Sequence, residues 1–169
     1  GSKSAKIVLR IPEWTNNPIV KINGVEFDFK AENNLIILEK EWNNDTIEYT
    51  LPMSVIVHKL PDNENAVAFK YGPYVLSANM GTNKMETGVT GVNVTIPMED
   101  EAISDVLVIE NDTIENWLKN INENLVKDEN SMNFTLKGTN QKLVFSPHYR
   151  QHTNRYGIYF HLEEKGSAK

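Results

Sequence analysis

The residues best suited to chemistry concentrate between Leu143 and Leu162. Three of the four histidines lie there: His148, His152 and His161. Two imidazoles four residues apart, with a third or a carboxylate, could bind a metal ion. However, the segment is predicted to be a bend between strands, where residues i and i+4 do not share a face, and it has no His-Glu-x-x-His pattern. Histidines that hydrogen-bond within a turn are therefore favoured, and a metal site at His148 and His152 is the alternative.

The same stretch is rich in aromatic rings: Phe145, Tyr149, Tyr156, Tyr159 and Phe160. Such a cluster either fills a core or forms a recognition surface, because each ring combines apolar area with, in tyrosine, a polar tip. Arg150 and Arg155 could bind a sugar or a carboxylate through paired hydrogen bonds. They could also tie a loop to a neighbouring domain by stacking on the rings, which is the favoured interpretation.

The tryptophans extend the set of candidates for carbohydrate binding. Trp117 falls on the apolar face of a predicted helix and is expected in the core. Trp14 and Trp42 fall at strand or loop edges, where an exposed stacking platform is more plausible. The candidate carbohydrate-binding residues are Trp14, Trp42, Tyr149, Arg150, Arg155 and Tyr156.

No catalytic residues are predicted. A glycosidase needs two carboxylates facing across a cleft, and the acidic residues here fall in polar loops without an evident pair. The acidic run 99–105 could hold calcium but lacks the spacing of an EF-hand. The chain has no cysteine, which excludes disulfides, thiolate metal sites and a cysteine nucleophile within it. No cofactor is predicted.

Size and charge limit the possible partners. A chain of 169 residues forms one domain or two small lobes. Its net charge of −6 would repel a phosphate backbone or an anionic lipid surface, so neither nucleic acid nor a membrane is expected as a partner. No apolar run reaches the roughly 18 residues of a membrane span. The opening Gly1-Ser2 resembles a cleavage scar, so any targeting signal is expected on preceding sequence.

Short alternating segments separated by turns predict an all-β fold, an antiparallel β-sandwich of jelly-roll-like type. Asn23-Gly24 predicts a type I′ hairpin within 19–29. A short helix is expected near 113–125, with Asp112 as N-cap and Glu115 completing a capping box. The predicted division is a main sandwich at 5–79, completed by 143–163, with 80–142 as an inserted or second small lobe that contains the helix.

Several segments, taken in order, resemble one known family. They are Leu9-Arg10-Ile11-Pro12-Glu13-Trp14, Val20-Lys21-Ile22-Asn23-Gly24, Glu41-Trp42-Asn43-Asn44-Asp45-Thr46-Ile47, Leu51-Pro52-Met53, Tyr71-Gly72-Pro73-Tyr74-Val75, Ser146-Pro147-His148-Tyr149-Arg150-Gln151-His152 and Arg155-Tyr156-Gly157-Ile158-Tyr159-Phe160. These are similar to the C-terminal β-sandwich region of family 127 and 146 glycoside hydrolases, the β-L-arabinofuranosidase-like proteins formerly grouped as a domain of unknown function.

The resemblance implies that catalysis belongs to a separate (α/α)6 barrel, which uses a cysteine nucleophile, a zinc-thiolate cluster and an acidic residue. None of these can be assigned to this chain. The expected function is a noncatalytic accessory module of a bacterial enzyme, with the catalytic barrel of the parent chain as partner and an extracytoplasmic location favoured. Two alternatives are a carbohydrate-binding module for a plant polysaccharide such as arabinan or xylan, and a free-standing hydrolase.

Overall fold

The computed structural model describes residues 1–83, 85, 87–90, 94–97 and 104–166. The chain forms two compact units, Gly1–Ser54 and Val55–Lys169. The first contains β1 (Lys3–Arg10), β2 (Ile19–Ile22), β3 (Val25–Glu26), β4 (Ala31–Glu32), β5 (Leu35–Trp42) and β6 (Ile47–Thr50). The second contains β7 (Val55–Leu60), β8 (Asn63–Tyr71), β9 (Tyr74–Asn79), β10 (Thr87–Thr90), β11 (Val94–Pro97), β12 (Val106–Ile109), α1 (Ile114–Lys119), α2 (Ile121–Asn124), β13 (Leu125–Lys127), β14 (Phe134–Leu136), β15 (Val144–Pro147), β16 (Tyr156–Gly157) and β17 (Tyr159–Glu164).

The first unit consists of two three-stranded sheets, ordered β1-β5-β4 and β3-β2-β6. Alternation along β1 and β5 turns one row of apolar side chains inward, because successive residues of a strand point to opposite faces. Val20, Ile36 and Leu38 are almost fully buried and form the centre of this core. Ile7 and Leu9 pack against them from β1.

The predicted hairpin is present between β2 and β3. Asn23 and Gly24 have φ angles of 53° and 79°, the two positive values that a type I′ turn requires. The Asn23 side chain also accepts a hydrogen bond from the Thr46 backbone N–H (2.9 Å) and donates one to Asp45 Oδ1 (2.6 Å). The hairpin turn is therefore joined to the turn that precedes β6.

The second unit is built on one large sheet, in which β12-β17-β8-β9-β15-β14-β13 are neighbours in that order. In addition, β7 pairs with β8 and β16 pairs with β9. Among the described strands of this sheet, β12 and β17 form a parallel pair and the other pairs are antiparallel. The last strands of the chain thus lie beside strands from residues 63–79.

This pairing explains why the structural boundary falls at Ser54 rather than at the predicted position after Asn79. Strands β8 and β9 hydrogen-bond to β17 and β15, so residues 55–79 belong with the end of the chain and not with residues 1–54. Pairing partners distant in sequence decide this division, and local punctuation such as glycine or proline does not reveal them.

Aromatic rings occupy the core of the second unit. Phe69 meets Trp117 edge-on at 6.3 Å and Phe145 at 5.6 Å between ring centroids. Phe145 also lies 5.4 Å from Phe160, and all four side chains are at most 1% exposed. Edge-to-face contacts of this kind add to the gain from burying the rings.

The predicted helix is present as two short helices, α1 and α2, and its N-cap differs from the prediction. Thr113, not Asp112, has the extended conformation of an N-cap, and its hydroxyl accepts a hydrogen bond from the Asn116 N–H. The Asp112 carboxylate instead accepts from the Asn116 side chain and the Thr113 N–H. Trp117 is buried, as its helical spacing predicted, and Ile121 and Leu125 are buried with it.

The prediction of an all-β fold with a short helical segment is confirmed. In the part of the chain that the structure describes, no helix has both the length and the apolar character needed to cross a membrane.

Candidate functional site

The aromatic stretch near the C-terminus divides between core and surface. Phe145 and Phe160 are completely buried, whereas Tyr149, Tyr156 and Tyr159 are 50–55% exposed. The phenylalanines lie on strands, and Tyr149 lies on the 3-10 turn His148–Arg150 that follows β15. The stretch therefore fills the core with its phenylalanines and presents its tyrosines to solvent.

Tyr149 and Arg150 are positioned by the end of β15. Pro147 is the last residue of that strand and lies opposite Leu76 of β9. Because proline has no N–H and restricts its own φ angle, the chain leaves the sheet there and enters the turn. The turn places the Tyr149 ring 6.1 Å from the Tyr74 ring and the Arg150 guanidinium 5.7 Å from the Tyr149 ring.

A partly buried cluster of polar side chains joins this turn to strands β9 and β15. Gln151 Nε2 donates to the Ser146 hydroxyl (2.8 Å) and to the Ser77 carbonyl (3.3 Å). The Gln151 side-chain oxygen accepts from Asn154 Nδ2, and His148 Nδ1 lies 3.3 Å from the Ser77 hydroxyl. Since Ser77 and Ser146 are buried, these bonds satisfy polar groups that would otherwise be costly to desolvate. The turn that carries Tyr149 is therefore held firmly in place.

Arg155 is half-buried and hydrogen-bonds to the neighbouring segment 80–83. Its backbone N–H donates to the Gly81 carbonyl, and its own carbonyl accepts from the Met80 N–H. Its guanidinium donates to the Asn83 carbonyl. These contacts are hydrogen bonds within the second unit, whereas the interpretation favoured from the sequence was stacking on rings that ties a loop to a neighbouring domain.

Arg150 faces an open depression with a volume of about 400 Å³. Its lining consists of Lys127, Glu129, Asn130, Ser131, Met132 and Arg150. We call it the Arg150 depression. Its volume falls within the range of roughly 300 to 1,000 Å³ of small-ligand sites, but those sites are enclosed clefts and this depression is open to solvent. Two of its lining residues are cations, one is the acid Glu129 and two carry neutral polar groups, so the lining offers charges and hydrogen bonds to a polar ligand.

The predicted site residues are divided over the two units. Trp14 and Trp42 belong to the first unit, whereas Tyr149, Arg150, Arg155 and Tyr156 belong to the second. Trp42 Nε1 donates to the Ala5 carbonyl at 2.8 Å, and its ring packs against the core of the first unit. Trp14 is half-buried in the turn after β1. The structure therefore gives Trp42 a clear role in packing.

The three histidines of the stretch have separate surroundings. The His148 ring packs edge-on against Tyr156, with 4.6 Å between ring centroids. His152 is exposed, and His161 lies near Asp105 and Asn63. Over residues 1–83, 85 and 104–166, no three His, Cys, Asp or Glu side chains lie close enough together to hold a metal ion. The geometry therefore offers no support for the alternative of a metal site at His148 and His152.

The acidic run 99–105, considered above for calcium, lies mostly outside the described residues. Its described member Asp105 has its carboxylate 3.7 Å from His161 Nε2. The most perturbed carboxyl group in the described structure is Asp45, far along the chain from this run. Hydrogen bonds from the Asn23 side chain, the Asn43 N–H and Lys40 lower the pKa of Asp45 from 3.8 to about 2. These bonds fix a turn, so Asp45 is structural.

Four residues near the site were not predicted from the sequence: Tyr74, Ser77, Lys127 and Asn130. Tyr74 and Ser77 come near because β9 pairs with β15. Lys127 comes near because β13 and β14 extend the same sheet beyond β15. Only the order of the strands in the sheet reveals these neighbours, and no local sequence pattern specifies that order.

The fold belongs to the class of β-rich proteins built from two units. Its second unit has a buried aromatic core and exposes tyrosine and arginine side chains. Residues 56–162 match the model of DUF4986, a domain of unknown function, so the chain belongs to the DUF4986 family. Residues 1–53 match the model of the β-L-arabinofuranosidase GH127 middle domain. The change from one match to the other coincides with the structural boundary at Ser54.

Solved structures share this fold. One described as a glycoside hydrolase has a TM-score of 0.58 and 16% identity, over 95% of this chain and 28% of its own. A GH127 β-L-arabinofuranosidase from Geobacillus stearothermophilus T6 has a TM-score of 0.54 and 16% identity, over 97% of this chain and 27% of its own. Another GH127 β-arabinofuranosidase has a TM-score of 0.53 and 15% identity, over 96% and 28%.

The chain therefore spans little more than a quarter of the length of these structures. No curated protein sequence matches it. The resemblance to the β-sandwich region of the β-L-arabinofuranosidase-like glycoside hydrolases, drawn from the sequence motifs, is confirmed by the two family matches and the shared fold.

Proposed function

We propose that this chain is a noncatalytic accessory module of a β-L-arabinofuranosidase-like glycoside hydrolase, and that it packs against and supports the catalytic part of that enzyme. The observation that carries the proposal is the succession of the GH127 middle-domain match and the DUF4986 match along one chain. The similar glycoside hydrolase structures are more than three times as long, which leaves room for a separate catalytic part.

The chemistry of the described residues fits a supporting role. Hydrolysis of a glycosidic bond usually requires two carboxyl groups across a cleft, one with a raised pKa. Among the described carboxylates, Asp45 has a clearly lowered pKa, and its partners hold a turn. The depression beside Arg150 contains one carboxylate, Glu129. Neither place has the paired acids of a glycosidase.

An apolar surface on the first unit is a suitable place for the catalytic part to dock. Val8 and Ile37 lie opposite each other on β1 and β5, and Leu35 lies two residues from Ile37 on the same face. Their side chains are 48%, 40% and 36% exposed, respectively. The opposite face of this sheet already covers the core. Contiguous exposed apolar surface is a frequent mark of an interface.

The test of the noncatalytic proposal is an assay of the isolated chain on an aryl β-L-arabinofuranoside. We expect no release of arabinose above the uncatalysed rate, at any enzyme concentration tested. Release that scales with chain concentration, and that persists when the chain is purified by a second route, would mean that the chain is itself a hydrolase.

A second candidate function is carbohydrate binding, and one observation favours it: Tyr149 and Tyr156 are exposed on a well-anchored surface. Sugar rings stack on exposed aromatic faces, and tyrosine adds a hydroxyl that can bond to the sugar. The isolated chain should then be retarded in a gel that contains arabinan or xylan. The double variant Tyr149→Ala/Tyr156→Ala should lose this retardation, whereas Tyr49→Phe, a variant in the first unit, should keep it. Equal migration with and without polysaccharide would exclude this function.

A further inference from the structure

We infer that the Arg150 depression is a binding site for an oligosaccharide that carries a carboxylate, such as a uronic acid unit. This inference rests on the second candidate function, carbohydrate binding, and specifies the class of sugar. It concerns one place on the second unit: the lining of the depression, together with the adjacent Tyr149 and Tyr74 rings.

The charged groups of the lining are two cations and one carboxylate, Glu129. Lys127 and Arg150 both line the depression, in a chain whose net charge is −6. Among the described residues no carboxylate forms an ion pair with Arg150, whose guanidinium lies 5.7 Å from the Tyr149 ring. An arginine guanidinium presents a planar fork of donors that matches a carboxylate with two parallel hydrogen bonds. Arg150 is therefore ready to accept a carboxylate from solvent.

The acidic groups nearby leave this preference in place. Glu129 lines the depression, and Asp128 is adjacent to it in sequence. The Asp128 carboxylate accepts a hydrogen bond from the Asn130 N–H at 2.9 Å, and Lys127 Nζ donates to the Asp128 carbonyl at 2.9 Å. Lys127 Nζ is thus already bonded to a backbone carbonyl, whereas Arg150 comes from a different segment, the turn after β15. We expect the carboxylate of the ligand to bind at Arg150.

The remaining groups suit a sugar rather than a simple anion. Asn130 and Ser131 supply donors and acceptors for hydroxyl groups, and Met132 supplies apolar surface. Tyr149 is 55% exposed beside Arg150, and Tyr74 lies 6.1 Å from it, so a neighbouring sugar ring can stack there. A small inorganic anion would contact only the cations and leave the other groups unused.

The experiment compares two oligosaccharides of equal length, one neutral and one with a terminal glucuronic acid, by NMR titration of the isotope-labelled chain. We expect the acidic sugar to bind at least about tenfold more tightly, with shifts at Lys127, Asn130 and Arg150. Arg150→Gln should weaken its binding about tenfold or more, as expected for loss of hydrogen bonds to a charged group. Arg150→Lys should restore part of this loss. The matched control Arg10→Gln removes the same charge from the first unit and should leave binding unchanged.

Equal affinity for the two sugars would overturn this inference and leave the carbohydrate-binding function standing. Absence of binding by both sugars would overturn the carbohydrate-binding function as well. Binding of sodium glucuronate or sodium sulfate as tight as that of the acidic oligosaccharide would also overturn the inference, since the site would then recognise charge alone.

Discussion

The conformation of a single residue is easiest to predict from this sequence where a backbone angle or a hydrogen bond allows few residue types. Asn23-Gly24 was predicted to form a type I′ turn because few residue pairs tolerate two positive φ angles, and the turn is present. Trp117 was predicted in the core from its helical spacing and is 1% exposed. Such local rules need no knowledge of the distant chain.

The lowered pKa of Asp45 should appear in the pH dependence of the chain's stability. Its carboxylate accepts hydrogen bonds from Asn23, Asn43 and Lys40, which lower the pKa to about 2 in the folded chain, from 3.8. A lowered pKa contributes stability above pH 3.8, and this contribution is lost as the pH falls towards 2. Asp45→Ala should therefore lower the denaturation midpoint at neutral pH, and the difference from the unmodified chain should shrink between about pH 4 and pH 2. A difference that stays constant with pH would contradict this account.

Gly138→Ala should destabilise the second unit by about 2 kcal/mol, because it combines two costs. Gly138 has a φ of +72°, and an added Cβ would lie 3.0 Å from Trp117 Nε1, which donates to the Lys137 carbonyl. Gly24→Ala is the matched control: its φ is +79° and the space around it is open. The control should cost about 1 kcal/mol in denaturant unfolding. Equal costs would show that the contact with Trp117 contributes nothing.

For secondary-structure elements, the sequence predicts whether a segment is a helix or a strand better than it predicts the residues at which the element begins and ends. The helical segment was expected from the apolar spacing, but its N-cap was assigned to Asp112, one residue too early. Aspartate and threonine are both good N-caps and stand side by side here, so local pattern alone cannot choose between them. In the structure the hydroxyl of Thr113 makes the capping bond.

Thr113→Ala should cost about 1 kcal/mol of unfolding free energy, since it leaves the Asn116 N–H without its capping acceptor. Thr113→Ser keeps a hydroxyl and should cost only a few tenths of that amount. Circular dichroism during urea unfolding provides the comparison. If the alanine and serine variants unfold at the same urea concentration, the Thr113 hydroxyl is not the cap that stabilises α1.

At the scale of the whole molecule, the pairing of distant strands decides what lies together, and the sequence does not encode that pairing locally. The all-β class followed from alternation, but the boundary at Ser54 did not, because β9 pairs with β15 and β8 with β17, whose paired residues lie 67 to 95 positions later in the sequence. The pairing of β13 with β14 and of β14 with β15 brings Lys127 near Arg150. Tyr149 and Arg150 could be picked out as candidates from residue type, whereas their partners could not.

The apolar face formed by Val8, Leu35 and Ile37 should contribute to stability only within the proposed longer glycoside hydrolase, where it would contact the catalytic part. Ile37→Lys replaces an exposed apolar side chain, so the isolated chain should keep its melting temperature within about a degree, as for most surface substitutions. In the longer enzyme the same change should lower the melting temperature by several degrees, because it places a charge in an apolar interface. The control Glu39→Lys also adds a lysine to this face, two residues from Ile37, but it replaces a charged side chain instead of an apolar one. An equal effect of Ile37→Lys on both proteins would exclude this face as the docking surface.

The most direct test of the accessory role is to delete these residues from the longer arabinofuranosidase-like enzyme and to measure its melting temperature and its turnover of an aryl β-L-arabinofuranoside. We predict that the deletion lowers the melting temperature by several degrees and reduces turnover, and that the deleted segment alone has no activity. A truncated enzyme with unchanged stability and turnover would contradict the role proposed for this chain.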